Sequence, residues 1–330
     1  MGQIEISLDV IEGTTHKALT RHGAADWVAK EVAKAVKKAE ATGNKICGLY
    51  YLESYCKQLV TGRVKGDVEP EVSQPKPASV KVDAKFGFAQ PAFARGLSKA
   101  IEVAENMGTA SLGVGHAHTC TSLGYFTEQI AERGLIGIGF TNASAIVAPP
   151  GGKTPILGTN PLAMAIPAKE GGVHFQFDQS TTTVALGKIT MAASAGESIP
   201  LGWAKDENGD PTTDPHAALK GSLESSGGYK GFGLGLMVEV LASTLLGSKS
   251  STDVGKLKAP EGQPHGLGQF YLLIDPTTYT DDFYEKLNAL QAMVERDEAA
   301  RLPGSKRIVN PCPLIDEDFW NLTLELAGEG

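Results

Sequence analysis

The chain has 330 residues, enough to bury a large core in one or two units, and 42% apolar content with 39 glycines describes a globular protein rich in turns. A net charge of -8 excludes a sequence-independent nucleic-acid binder, which needs a basic face. No apolar run approaches the roughly 20 residues of a membrane span. The N-terminus lacks a basic segment followed by an apolar one, and MGQIEI has Ile6 where myristoylation requires Ser or Thr, so no membrane partner is expected. Cys47, Cys56, Cys120 and Cys312 form no CxxC pair and have no histidine at zinc-finger spacing; no metal site is expected, and few cysteines in a long chain fit a reducing cytoplasm.

Residues 3–10 alternate weakly, as an edge strand would. Ala24 to Ala41 reads as a helix, with Trp27, Val28, Val32 and Val36 on one face, lysines on the other, and Gly43 as its stop. A second helix covers Leu49 to Val60 and carries Tyr50, Tyr51 and Tyr55, whose rings suit helix packing or a ligand. Residues 63–83 read as extended. Pro91–Asn106 and Tyr125–Arg133 are helical; strands follow at Ala110–Val114, Leu135–Phe140, Leu162–Ile166 and Val173–Phe177. Further on come a polar turn region at Gly202–Pro215, an apolar helix from Gly227 to about Gly247, a strand at Leu267–Ile274, and helices at Asp281–Glu295 and Asp318–Ala327. The interleaving of helix and strand patterns gives an α/β or α+β class.

At the centre lies Phe140 to Pro167, two strand-like runs joined by a loop dense in Gly, Pro, Thr and Asn. Its hydroxyls, amides and Lys153 suit a polar, anionic small molecule, although such loops also serve only to join strands. GGKT at Gly151–Thr154 is not a P-loop, because Val147 stands where the pattern needs glycine. Asp206, Asp210 and Asp214 do not have EF-hand spacing. Gly231, Gly233 and Gly235 give GxGxG rather than a dinucleotide fingerprint, yet a glycine-rich helix start beside Lys230 suits an anion as well as close helix packing. Asp178, at a strand end before QSTTT, can orient a histidine, balance a positive charge or cap a helix. His116 and His118, two apart on a strand, are candidates for a metal pair, a proton donor or structure.

GLIGIGFTN, APPGGKTPILGTNPLAMAIP, FDQSTT, GWAKDENGDPTTDP, GGYKGFGLGLMVE and RLPG occur in this order, and together they resemble the type 2 malate/L-lactate dehydrogenase family of NAD(P)-dependent oxidoreductases, which includes Δ1-piperideine- and Δ1-pyrroline-2-carboxylate reductases. The resemblance implies a non-Rossmann fold with a largely antiparallel cofactor-domain sheet and a helical second domain. It further implies a homodimer, with residues 111–249 binding NAD(P) and residues 1–110 and 250–330 forming the substrate and dimerisation unit. It assigns Asp178, Gln179, Ser180, Thr181, Lys230, Gly304 and Ser305 to the dinucleotide, and Lys153, Thr159 and Asn160 to the substrate, a small carboxylate.

The sequence departs from the family at one point. Where the family carries Ser-His-Gly with a nearby Arg, this chain has Ile46-Cys47-Gly48 and Tyr51, so the usual histidine donor is missing. Two explanations compete. Either His118, Tyr51 or Cys47 supplies the proton, with Asp178 orienting or balancing the donor, or the chain binds cofactor without the standard turnover. A cyclic imine is protonated in solution and needs a donor less than a ketone does. The departure therefore points to an imino acid, with 2-oxo/2-hydroxy acid chemistry as the alternative, and the resemblance favours NADP over NAD.

Overall fold

The computed structural model describes residues 2–305 and 307–330. Its helices are α1 (Leu8–Arg21), α2 (Asp26–Ala41), α3 (Leu52–Val60), α4 (Ala89–Met107), α5 (Gly124–Ala131), α6 (Leu186–Ala195), α7 (Pro215–Ala218), α8 (Tyr229–Ala242), α9 (Phe283–Val294) and α10 (Glu317–Ala327). Its strands are β1 (Gln3–Glu5), β2 (Glu71–Lys76), β3 (Ser79–Asp83), β4 (Thr109–Ala117), β5 (Ile136–Thr141), β6 (Leu162–Pro167), β7 (Val173–Gln179), the two-residue strands β8 (Ala204–Lys205), β9 (Pro211–Thr212) and β10 (Ser222–Leu223), then β11 (Leu267–Ile274) and β12 (Leu314–Asp316).

Seven strands form one sheet in the order β2-β3-β4-β11-β5-β6-β7. Only β3 and β4 run parallel; every other neighbouring pair is antiparallel. This is the non-Rossmann, largely antiparallel α/β arrangement expected. The sheet nevertheless crosses the expected unit boundaries, because β2, β3 and β11 come from outside residues 111–249 and pair continuously with strands inside it.

Among the described residues, three apolar cores stabilise the molecule. The largest joins the sheet to α4 and α5 through Leu112, Phe93, Phe126 and Tyr271. The second packs α1, α2, α3 and α10 around Ile11, Leu19, Val32 and Tyr55. The third, around Val147, Leu157, Ile189 and Leu223, holds the lobe built from the central loop and residues 182–232. The paired β1 and β12 bring the two chain ends into the helical core.

Two helices go beyond the sequence expectations. α1 occupies a region expected to be an edge strand as far as residue 10; its core face includes the polar Thr14 and Thr15 beside Ile11, Ala18 and Leu19, so hydropathy alone does not trace its stripe. α6 was likewise not expected, and only Ile189 of it is buried. α8 also qualifies the expectation on membrane spans: Tyr229–Leu246 is an 18-residue helical run apolar and long enough, by length and composition, to cross a membrane. It packs Gly231, Gly235, Val238 and Ala242 inward against the protein.

Candidate functional site

The end of β7, the start of α5 and the turn after α2 meet at one corner. β7 delivers Asp178 there. Its Oδ2 accepts the Gly124 backbone N–H at 2.7 Å and lies 3.4 Å from the Ser122 hydroxyl. Gly124 sits so close that a Cβ on it would press on Asp178. Asp178 is exposed, with protein packed around its carboxylate. Desolvation raises its pKa against the lowering pull of those donors and of Arg307. Arg307 is anchored to Glu128 and to the Thr42 hydroxyl, and Lys38 also pairs with Glu128.

The turn carrying Cys47 is built by a buried carboxylate. Glu40 accepts the Leu49 N–H at 2.8 Å, and a Cβ on Gly48 would displace the Glu40 carboxylate from this place. Asn44 in the same turn donates to Ser122 at 3.4 Å and ties the turn to the Asp178 corner. Burial, with the Asp178 charge second, pushes the Cys47 thiol up to about 12, opposed by a hydrogen bond to Asn44. Burial likewise raises Tyr51, whose neighbours include Cys47 and Cys120, and raises Cys120. Cys47, Tyr51 and Asp178 are therefore brought together, and the thiol and phenol both hold their protons tightly at neutral pH.

His118 is enclosed behind this corner, separated from Tyr51 by the Tyr55 ring. It is 1% exposed, hydrogen-bonds Gln58 at 2.6 Å, and stacks on His265 with ring centroids 4.0 Å apart. Tyr55 and Phe88 pack edge-on against it. Burial holds it well below its ordinary pKa, followed by the nearby His265 and Arg63; it is neutral and enclosed. Nor does it converge with His116, whose φ of +51° breaks the strand alternation on which a metal pair would depend. His116 instead meets Asp83 at 3.1 Å and the Gly247 carbonyl at 3.1 Å.

Beside the Asp178 corner opens a cleft of about 380 Å³ lined by Leu162, Gln179 to Thr182, Ser226, Gly231 and Leu234. Gly231 is dictated by close approach, since a Cβ there would overlap the Ser226 carbonyl oxygen. This lets the N-terminus of α8, with first-turn N–H groups that have no partner within the helix, face the cleft beside Lys230. Thr159 and Asn160 back the cleft: the Thr159 carbonyl accepts both the Thr181 N–H and its hydroxyl at 3.0 Å. Gly304, at φ +76°, docks a turn with Ser305 against the Gln176 backbone, two residues before Asp178. Lys153 is exposed and packs beside Gly209 of the polar turn. Asn44, Ser122, Gly124 and Arg307 escaped sequence reasoning because each serves Asp178 through the fold rather than through a motif.

The chain belongs to the malate/L-lactate dehydrogenase family, whose model matches residues 6–312, and this is a family of oxidoreductases. It is 40% identical over 303 residues to a (2R)-3-sulfolactate dehydrogenase (NADP(+)) of Chromohalobacter salexigens, covering 92% of this chain and 90% of that protein. It is 36% identical over 310 residues to a Δ1-pyrroline-2-carboxylate/Δ1-piperideine-2-carboxylate reductase of Pseudomonas aeruginosa, covering 92% of each. The crystal structure of a Δ1-piperideine-2-carboxylate reductase from Pseudomonas syringae superposes with a TM-score of 0.89 at 31% identity, covering 98% of this chain and 99% of that one.

Proposed function

We propose that this protein is an NADP(H)-dependent reductase of small 2-imino carboxylates, Δ1-pyrroline-2-carboxylate or Δ1-piperideine-2-carboxylate. The observation that carries this reading is the corner tied by the Asn44–Ser122–Asp178 hydrogen bonds, where the Asp178 charge acts on the Cys47 thiol and both that thiol and the neighbouring Tyr51 phenol hold their protons. An iminium arrives already protonated and needs a counter-charge; a ketone needs a proton given up during reduction. Asp178 supplies the first, and Cys47 and Tyr51 are poorly suited to the second. Reduction of the iminium needs only hydride to form the cyclic amino acid, and hydride is what the dinucleotide supplies when bound. Asp178, Gln179, Ser180, Thr181, Lys230, Gly304 and Ser305 are assigned to hold that dinucleotide. The glycine cradle at Gly231 and the free N–H groups of α8 support the assignment by offering phosphate a site that a side chain would fill. Thr159 and Asn160 form the substrate wall, and Lys153 is the candidate partner for the carboxylate. The lobe around the cleft is the cofactor-binding unit, and the helices from the chain ends form the other.

The sulfolactate dehydrogenase relative favours a second reading, an open-chain 2-oxo acid reductase. Oxidation of NADPH and NADH would be followed with the two cyclic imines, pyruvate, oxaloacetate and sulfopyruvate in parallel. Turnover confined to the imines supports the first reading; turnover confined to the oxo acids establishes the second. NADPH binding with turnover of none would make the protein a cofactor-binding homodimer without catalysis. We also infer a homodimer and a cytoplasmic location. The four free cysteines suit a reducing compartment, and the exposed apolar Leu236, Met237 and Val240 of α8 suit burial against a second copy.

A further inference from the structure

Asn160 holds an unusual place in the fold. It is fully buried, and its φ of +35° puts a non-glycine residue in left-handed backbone. Its side-chain amide donates to the Gly235 carbonyl at 3.0 Å and to Glu239 Oε2 at 2.8 Å. Glu239 lies one turn beyond Gly235 on α8. The same carboxylate accepts the Ser251 hydroxyl at 2.6 Å on Oε2 and the Ser251 N–H at 2.7 Å on Oε1. None of the ion pairs among the described residues includes Glu239. Its charge is met by three hydrogen-bond donors drawn from two separate segments.

We propose that Glu239 is a positioning residue, which locks the Thr159–Asn160 wall to α8 and thereby fixes the cleft. Fixing Asn160 in its strained conformation directs the preceding Thr159 carbonyl at the Thr181 N–H and hydroxyl. Thr181 lines the cleft and is also the residue on which Gly235 packs. One carboxylate therefore joins the turn at Ser251, the loop wall and the helix whose N-terminus faces the cleft. The inference rests on the reading of that cleft as the dinucleotide and substrate site.

The chemistry demands a carboxylate. All three partners donate, so both oxygens must accept. In Glu239→Gln, one acceptor oxygen becomes an NH2 that faces another donor, and at least one charge-assisted bond is lost. NADPH affinity would be measured by fluorescence titration without substrate, alongside KM and kcat for the imine and the melting temperature. The expected result is a dissociation constant for NADPH and a KM for the imine each raised about tenfold, with kcat within about twofold, because Asp178 is untouched. Ile11→Val, in the remote helical core, serves as a stability control that lowers the melting point without moving either constant. Should Glu239→Gln fail to fold, Glu239→Asp is read for the same split, since a shorter carboxylate cannot reach both segments. A variant that melts lower yet keeps wild-type NADPH affinity and KM overturns the proposal and leaves Glu239 as a structural anchor. If the wild-type protein binds neither NADPH nor NADH, the reading of the cleft falls, and the proposal with it.

Discussion

Asp178 carries the chemistry at the scale of single residues. Asp178→Asn removes the counter-charge while keeping shape, so kcat/KM for a cyclic imine is expected to fall by about a hundredfold or more. NADPH affinity, to which Asp178 is also assigned, is expected to fall by a smaller factor than kcat/KM. Burial raises the Asp178 pKa. If the ionised form is the active one, the rate falls with acid, and the acid limb of the kcat/KM profile lies above the ordinary carboxylate range of about 4. A profile flat through that range would show that this charge is not used. Cys47 offers the converse experiment. Its thiol, pushed up to about 12, donates poorly. Cys47→His introduces an imidazole that can give up a proton near neutrality, and is expected to raise kcat/KM for pyruvate or oxaloacetate by about tenfold or more while changing the imine reaction less. An equal effect on both substrate classes would contradict the argument that proton supply separates them.

At the scale of elements, two packing arrangements make separate predictions. α8 begins where Gly231 meets the Ser226 carbonyl, whereas a Cβ on Gly233 meets nothing within 4 Å. Gly231→Ala is expected to displace the helix start and weaken NADPH binding by about tenfold or more, while Gly233→Ala, with its gain in helix propensity, is tolerated. Equal titration curves for the two variants would remove the helix start from the site. The His118–His265 stack governs acid stability. Burial lowers both, His265 to about 3, so the folded state keeps them neutral while the unfolded chain protonates them near pH 6.5. The unfolded state then binds more protons as pH falls below about 6.5, and stability drops by about 1 kcal/mol per pH unit for each histidine. Urea midpoints between pH 7 and 5 would show this slope, and His265→Gln should remove about half of it. Much of this architecture was legible beforehand. Strands such as β5, β6 and β11 follow their apolar runs, and α2 and α4 follow their stripes, because burial on one face leaves a period in the sequence. The cysteine, tyrosine and aspartate of the corner were also legible, through motifs. What the sequence hides is convergence: Asn44, Ser122 and Gly124 reach Asp178 only after folding, and His118, near the site in sequence, turns into the core.

For the molecule as a whole, the question is what covers α8. Apart from Lys230 and Glu239 the helix carries no charged residue, and its inward face is already satisfied by Gly231, Gly235, Val238 and Ala242. Leu236, Met237 and Val240 face solvent at 41%, 40% and 53%, and Leu245 follows at 58%. Scattered exposed leucines are ordinary, but a run of them along one helix is a patch that water disfavours. A second copy and a lipid surface are both physically able to cover it. The proposed homodimer assigns the patch to a symmetric partner. Met237→Lys with Val240→Lys would place two charges in the proposed contact, where each must be desolvated. Light scattering behind size exclusion should then report a monomer, where a dimer is expected of the unmodified chain. A monomer for the unmodified chain, accompanied by flotation with anionic vesicles, would assign the patch to a membrane instead. If the dimer persists in the double variant, the contact lies on another face, and the apolar surface of α6 around Met191 becomes the next to test.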